Sequence, residues 1–306
     1  MRALHVAVPL LVAGGFFAHR GGRRLPRALL WTVCVFGVLA LDRLLAASAP
    51  SSRMAGMSLF VFLLCKLMVA EEERRDGMAP LPPAGWLAFT LLWVGMRPRL
   101  FARRARRALP DAGSMLLRGA ACAAGGILLA GAARRVGPGP GGTALLIAAL
   151  LLVFHFGACT LLAALWRLRG VRCEPVVRAP TRSQSLTEFW SRRWNLPYSE
   201  MCAILLLRPL TRRVGRRGAI LASFLVSGLL HEMAISLPVR AGLGLPMLYF
   251  ALHGGLVLLE DALARGGHPM RGLPGRLWSV VWIVAPLPLL FHRPFVEGVL
   301  LPLAGM

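Results

Sequence analysis

A histidine inside a long apolar stretch is the side chain of this sequence best placed to move a proton. His231 lies in GAILASFLVSGLLHEMAISLP (218–238), thirteen residues beyond Gly218. On a helix that is roughly 20 Å, well inside a bilayer. A neutral imidazole accepts a proton near pH 7, as activation of an alcohol requires. Ionisable side chains at such depth face a cavity or a partner and are functional candidates. The plainer reading is a hydrogen bond that joins neighbouring helices. Glu232 points about 100° away on a helix, where a loop arginine is its expected partner. A second cluster stands in SLTEFWSRRWNLP (185–197). A solvated loop has little use for Trp190 and Trp194, and a lipid-facing helix would reject Arg192, Arg193 and Asn195. The stretch therefore belongs at a membrane edge, where tryptophan suits the interface.

Several common catalytic signatures fail. His231-Glu232 begins like H-E-x-x-H, but Ile235 stands where the second zinc ligand is needed. Ser227-Gly228 is no G-x-S-x-G elbow, because position 225 is Leu225. Gly242-x-Gly244 lacks its third glycine, since position 247 is Met247. The run GPGPGG (137–142) reads as a turn, and no G-K-[ST] follows it to hold a phosphate. No C-x-x-C pair occurs among the six cysteines Cys34, Cys65, Cys122, Cys159, Cys173 and Cys202. They read as small buried hydrophobes rather than a disulfide framework or a zinc site.

The elements that carry these residues are expected to be membrane helices. The chain is 57% hydrophobic and 16% charged, against roughly 45–50% and about 25% in soluble domains. A single polytopic membrane domain over 1–306 follows. Expected spans are 3–19, 28–44, 54–70, 115–132, 143–166, 218–238, 244–263 and 276–291. Residues 84–96 are too short to cross and are expected to be re-entrant or interfacial. Residues 2–18 resemble a signal peptide but lack a small-x-small cleavage site, so a retained first helix is expected. The formal charge is +23, and Lys66 is the only lysine. A basic balance can mark nucleic-acid binding, but these arginines lie between apolar runs, which suits headgroups and cytoplasmic loops. Loops 20–27, 97–114 and 167–217 are arginine-rich and fall on one side if 84–96 does not cross. Loop 167–217 is then cytoplasmic.

FWSRRWN (189–195) followed by FLVSGLLHE (224–232) resembles the wax-synthase-type branch of the membrane-bound O-acyltransferases (MBOAT). WVGMRPRLF (93–101) and YFALHGGLVLLE (249–260) add weaker likeness, and the strongest spans 185–260. The resemblance implies an all-α integral membrane protein, with about eight transmembrane helices and re-entrant or interfacial helices around a central tunnel. It implies transfer of a fatty acyl group from acyl-CoA to a lipophilic alcohol, with acyl-CoA as co-substrate and no bound cofactor or metal. The family's histidine falls on His231 and its asparagine on Asn195.

On that likeness His231 is the general base, and the Asn195 amide donates to the developing oxyanion. Capping of a helix before Pro197 is the plainer role for Asn195. Arg192 and Arg193 meet phosphates of lipid or of CoA, or simply anchor the inner face. Arg208, Arg212, Arg213, Arg216 and Arg217 attract CoA or anionic lipid. Trp190 and Trp194 sit at the interface, and His253 lines the same tunnel or packs in the core. His155 lies in another span. Lys66 is expected to snorkel toward Glu71–Glu73, His292 to be interfacial, and Glu260 and Asp261 to be solvated. Partners are membrane lipids and the two substrates, with no nucleic acid. The membrane is the plasma membrane in a bacterium or the endoplasmic reticulum in a eukaryote. A sterol, glycolipid or secondary metabolite is the alternative acceptor. A transporter with His231 and Glu232 in its path is the alternative from another class; repeat symmetry or paired broken helices would mark it, and the sequence has neither.

Overall fold

The computed structural model describes residues 2–21 and 24–306, with residues 2–7 as backbone alone. Arg23 of the first basic loop lies outside the described residues. The chain forms helices α1 (Arg2–Arg20), α2 (Arg27–Leu44), α3 (Pro50–Arg75), α4 (Pro83–Leu91) and α5 (Ala112–Val136). Then come α6 (Pro140–Leu168), α7 (Leu196–Val239), α8 (Leu245–Arg265) and α9 (Gly272–Leu290), followed by short helical turns over 293–303. Proline opens α3, α4 and α6, where its missing N–H would have had no helical partner anyway.

Among the described residues, six helices are long and apolar enough to cross a membrane: α3, α5, α6, α7, α8 and α9. This is a multi-pass architecture with fewer such helices than the eight expected. The expected span 28–44 is helical as α2 but carries Arg27, Asp42 and Arg43 within eighteen residues. The expected span 3–19 is helical as α1 and runs into the residues described by backbone alone.

Ion pairs at one end of α3 fix which loops share a face. Arg27 grips Glu72 through two hydrogen bonds of 2.7 and 2.6 Å. Arg99 pairs with Glu73, and Arg208 reaches Asp76 at 3.5 Å. One acidic helix end thus gathers arginines from all three basic loops. At the opposite end Arg53 pairs with Asp42 and donates to the Pro238 carbonyl at 2.7 Å. That joins loop 45–53 to the stretch just before loop 239–243, two of the three charge-poor connections (with 133–142) expected on the face opposite the basic loops.

Lys66 does not snorkel to Glu71–Glu73. It is fully buried, and its Nζ donates to the carbonyls of Phe89 (2.7 Å) and Gly95 (2.8 Å), with the Phe89 ring at 4.0 Å. The reason lies in α4. At nine residues it is roughly 14 Å long and cannot cross. The chain must turn back, and the carbonyls freed at that turn need a donor inside the bundle. Lys66 supplies it. Trp86 on α4 donates from Nε1 to the Val12 carbonyl at 3.0 Å, and Arg99 returns the chain to the end of α3 where it entered. Lys66→Leu leaves two buried carbonyls unpaired, at about 1–3 kcal/mol each. Thermal unfolding in detergent is expected to shift down by several degrees; an unchanged midpoint would refute the pinning role.

The stretch 167–217 is more than a loop. α7 runs through 44 residues and is broken at Gly215 (φ 73°, ψ 169°) into arms 196–214 and 216–239. The first arm folds back on the second. Met201, Cys202 and Leu206 pack with Val226 and Leu230, and the Tyr198 hydroxyl donates to the Ser223 carbonyl at 2.9 Å. The apolar run AILLL (203–207) is the sequence signal for this buried arm.

Candidate active site

The segment before α7 is held by local chemistry that its sequence specifies. Ser185 and Glu188 form a capping pair: the Glu188 N–H donates to Ser185 Oγ (2.9 Å), and Glu188 Oε2 accepts the Gln184 N–H (2.8 Å). Glu188 also binds Arg193, at 2.5 Å. The Gln184 N–H, and then the Arg193 guanidinium, hold the Glu188 carboxyl below its usual range. Arg193 further donates to the carbonyls of Arg178 (3.4 Å) and Ala179 (3.3 Å). It therefore ties the loop together instead of standing free for a phosphate. Arg192 is exposed.

Glu260 anchors the same segment from α8. Its carboxylate accepts the Leu186 N–H (2.6 Å), the Thr187 N–H (2.8 Å), the Thr187 hydroxyl (2.7 Å) and the Trp278 indole N–H (3.0 Å). The expected solvated carboxylate is instead buried, because four donors replace its water. Asp261 stays at the surface among Arg216, Arg217 and Arg265.

From this anchorage the turn 189–193 throws its residues in different directions. Trp190 does not sit at an interface. Its ring packs inside the bundle between Phe224, Phe250 and His253, at centroid distances of 6.0, 5.6 and 5.3 Å. Trp194 stacks between Phe189 and His155, each 5.5 Å away and tilted by 12°. Asn195 takes a left-handed backbone (φ 42°, ψ 56°), which asparagine tolerates better than most residues. It stands at the start of α7, yet its side chain makes no capping hydrogen bond. Asn195 instead lines a cavity of about 290 Å³.

That cavity is walled by α3 (Met57, Phe62), the turn after α4 (Val94) and α7 (Leu230, Met233, Ala234). It is mainly apolar, and it lies near the lower end of the usual range for small-molecule sites. His155 of α6 also lines it. The His231 ring does not: the cavity touches Leu230, Met233 and Ala234 around it, while the imidazole lies against Phe250 at a centroid distance of 4.2 Å. Ala234 is three residues from His231 and so its neighbour on the helix surface. The His231 Nδ1 is 2.7 Å from the Ser227 carbonyl, which can only accept. Nδ1 therefore carries the hydrogen, and in the neutral ring Nε2 keeps the lone pair.

His253 is fully buried in the core, with Nδ1–H donating to the Tyr249 carbonyl at 2.8 Å, and it does not line the cavity. Among the described residues no arginine pairs with Glu232. Its Oε1 accepts the N–H groups of Gly244 (2.9 Å) and Met247 (3.0 Å), at the start of α8, where a helix offers unpaired donors. His292 is buried rather than interfacial, 3.2 Å from Ser236 Oγ.

Three residues that organise the site escape a linear reading. Glu260 and Glu232 looked like surface or arginine-seeking acids, because their partners are N–H groups, which leave no mark in a sequence. His155 looked like one more histidine in a span. A turn of wide, π-type geometry passes through each relevant stretch: 151–158, 189–193 and 232–236. Such turns recur at functional sites because they re-aim side chains.

Residues 173–252 match the membrane bound O-acyl transferase family. A protein described as probable long-chain-alcohol O-fatty-acyltransferase 2 of Arabidopsis thaliana is 38% identical over 120 residues, 35% of this chain and 33% of that protein. The long-chain-alcohol O-fatty-acyltransferase of Simmondsia chinensis is 33% identical over 100 residues, 30% of this chain and 28% of its own. Probable long-chain-alcohol O-fatty-acyltransferase 9 of Arabidopsis thaliana is 31% identical over 145 residues, 42% of each. The chain thus spans, in its matched stretches, between 28% and 42% of the lengths of these relatives. The likeness expected from FWSRRWN and FLVSGLLHE falls on this family.

Proposed function

We propose that this chain is an acyl-CoA-dependent O-acyltransferase that moves a fatty acyl group onto a lipophilic alcohol, as a wax ester synthase does. The observation that carries the reading is Asn195, whose side chain makes no capping hydrogen bond and which lines a largely apolar cavity beside the helix that bears His231. An amide with no protein partner can donate to a carbonyl oxygen as negative charge develops there, and apolar walls strengthen that contact. The names of the relatives support both the fatty acyl group and the long-chain alcohol.

In this reading His231 Nε2 takes the proton from the acceptor hydroxyl while its oxygen attacks the thioester carbonyl. The ring stands behind Leu230 and Ala234 of the cavity wall, and the acceptor hydroxyl meets Nε2 there while Nδ1 keeps the Ser227 carbonyl. Asn195 N–H holds the oxyanion of the tetrahedral intermediate. Collapse breaks the carbon–sulfur bond, CoA leaves as thiolate, and the imidazolium returns the proton to sulfur. The products are an ester and CoA thiol, with the imidazole regenerated. No cofactor or metal takes part. The face that gathers the arginines is the cytoplasmic one, and acyl-CoA arrives there.

The experiment is ester formation by the purified protein in detergent, with labelled acyl-CoA and a panel of alcohols. No ester with any alcohol would refute the transferase reading. Asn195→Gly keeps the left-handed backbone and deletes the amide. It is expected to lower kcat by about 10²–10³-fold; a parental rate would remove the oxyanion role.

A further inference from the structure

We propose that His155 is a second donor to the acyl carbonyl oxygen, acting beside Asn195. The inference rests on the acyl-transfer reading for the identity of the reacting group, and goes beyond it in naming a catalytic residue. His155 lies outside the stretch 173–252 that matches the family, so the assignment comes from placement alone.

Three observations carry it. First, His155 and Asn195 line one largely apolar cavity from different helices, α6 and the start of α7; of the other polar residues there, Tyr198 has its hydroxyl bound to the Ser223 carbonyl at 2.9 Å, and Ser58 lies across on α3. Second, among the described residues neither nitrogen of the His155 ring has a hydrogen-bond partner, and Nδ1 is sealed from solvent. Nε2 is left as the nitrogen that a ligand can reach. Third, the ring is held flat against Trp194, the residue next to Asn195, at 5.5 Å and 12°. The stack fixes the imidazole plane relative to the carboxamide.

The tautomer follows from the surroundings. A proton on Nδ1 would bury an unpaired N–H, which proteins avoid. A proton on Nε2 leaves only a bare lone pair inside and turns the donor toward the cavity. A neutral imidazole can then polarise a carbonyl as an electrophile while another group acts as base. With Asn195 it makes two N–H donors on one cavity, the kind of pair that stabilises a tetrahedral oxyanion. His155 makes and breaks no bond; it donates a hydrogen bond that strengthens as charge develops. The simpler role, a ring packed on Trp194, would be served equally by phenylalanine, and that difference supplies the test.

His155→Phe keeps the stack and removes the N–H. His155→Gln loses the stack but keeps an N–H that can extend into the cavity. Turnover and binding are measured on the full chain in detergent. In turnover, His155→Phe is expected to lower kcat by about 10²–10³-fold, while His155→Gln recovers a large part of the loss. Binding is read with two inert CoA derivatives: a ketone in which CH2 replaces the thioester sulfur, and a thioether that lacks the carbonyl oxygen. The parent is expected to prefer the ketone, and His155→Phe to reduce that preference by up to about 10-fold, one hydrogen bond's share. Parental kcat in His155→Phe overturns the inference, and so does an unchanged ketone preference. A parent that does not distinguish the two analogues, or binds neither, overturns it as well. Unfolding of both variants assigns the ring to packing and also overturns it. A parent inactive on every alcohol but selective for the ketone refutes the transferase reading alone and upholds the His155 contact.

Discussion

His231→Ala is expected to lower kcat for ester formation by about 10²–10⁴-fold, the range for loss of a general base. The size follows from the hydrogen bond at Nδ1. With that nitrogen donating to the Ser227 carbonyl at 2.7 Å, Nε2 is the one free to accept. Among the described residues the ring has no second hydrogen-bond partner whose loss would confuse the result, and alanine is the best helix former, so α7 is kept. Because proton transfer belongs to the transition state, kcat and kcat/KM are expected to fall together. Steady-state rates with labelled acyl-CoA make the measurement. A rise in KM at parental kcat would show that the imidazole binds substrate without taking its proton, and the base assignment would fall.

Glu260→Gln is the second large effect, and it acts at a distance from the cavity. All four partners of the carboxylate are donors: two backbone N–H groups, the Thr187 hydroxyl and the Trp278 indole. A carboxylate offers only acceptors and satisfies them all. Glutamine has one acceptor oxygen, and its NH2 would face N–H and O–H groups. At least one buried donor loses its partner, at about 1–3 kcal/mol each, and the turn 186–193 loses its hold on α8. Trp190, Trp194 and Asn195 all hang from that turn, so activity is expected to drop by one to two orders of magnitude, since about 1.4 kcal/mol is tenfold. Amide hydrogen exchange over 184–196 is expected to speed up while the rest of the bundle keeps its protection. Parental exchange in that stretch with parental activity would show that Glu260 does not position the site.

Much of this could be read before any coordinates. Apolar runs located α3, α5, α6, α8 and α9 to within a few residues, because a bilayer demands long uncharged helices. Arginine placement grouped the loops, and the ion pairs of Arg27, Arg99 and Arg208 with the end of α3 agree with that grouping. What could not be read was where polar side chains inside the bundle turn. Lys66 serves the carbonyls of a re-entrant turn, Glu232 a helix start and Glu260 a loop. In each case the partner is backbone, which every residue carries, so no spacing rule points to it. The cavity wall was hidden for another reason. Which face of α6 looks inward depends on the π-type turn over 151–158, and a strict helical period misplaces every residue past such a turn.

The bend at Gly215 decides how near the two motifs come. Without it, 44 consecutive helical residues would make a rod roughly 66 Å long, about twice the oily thickness of a bilayer. Asparagine and imidazole would then sit far apart, near separate surfaces. The backbone there occupies a region essentially reserved for glycine, although a Cβ would meet nothing within 4 Å. Torsion alone, with no crowding to assist it, doubles the rod back on itself, and a single hydrogen in place of a side chain is what lets one continuous stretch return Asn195 to a cavity walled by the turn after His231.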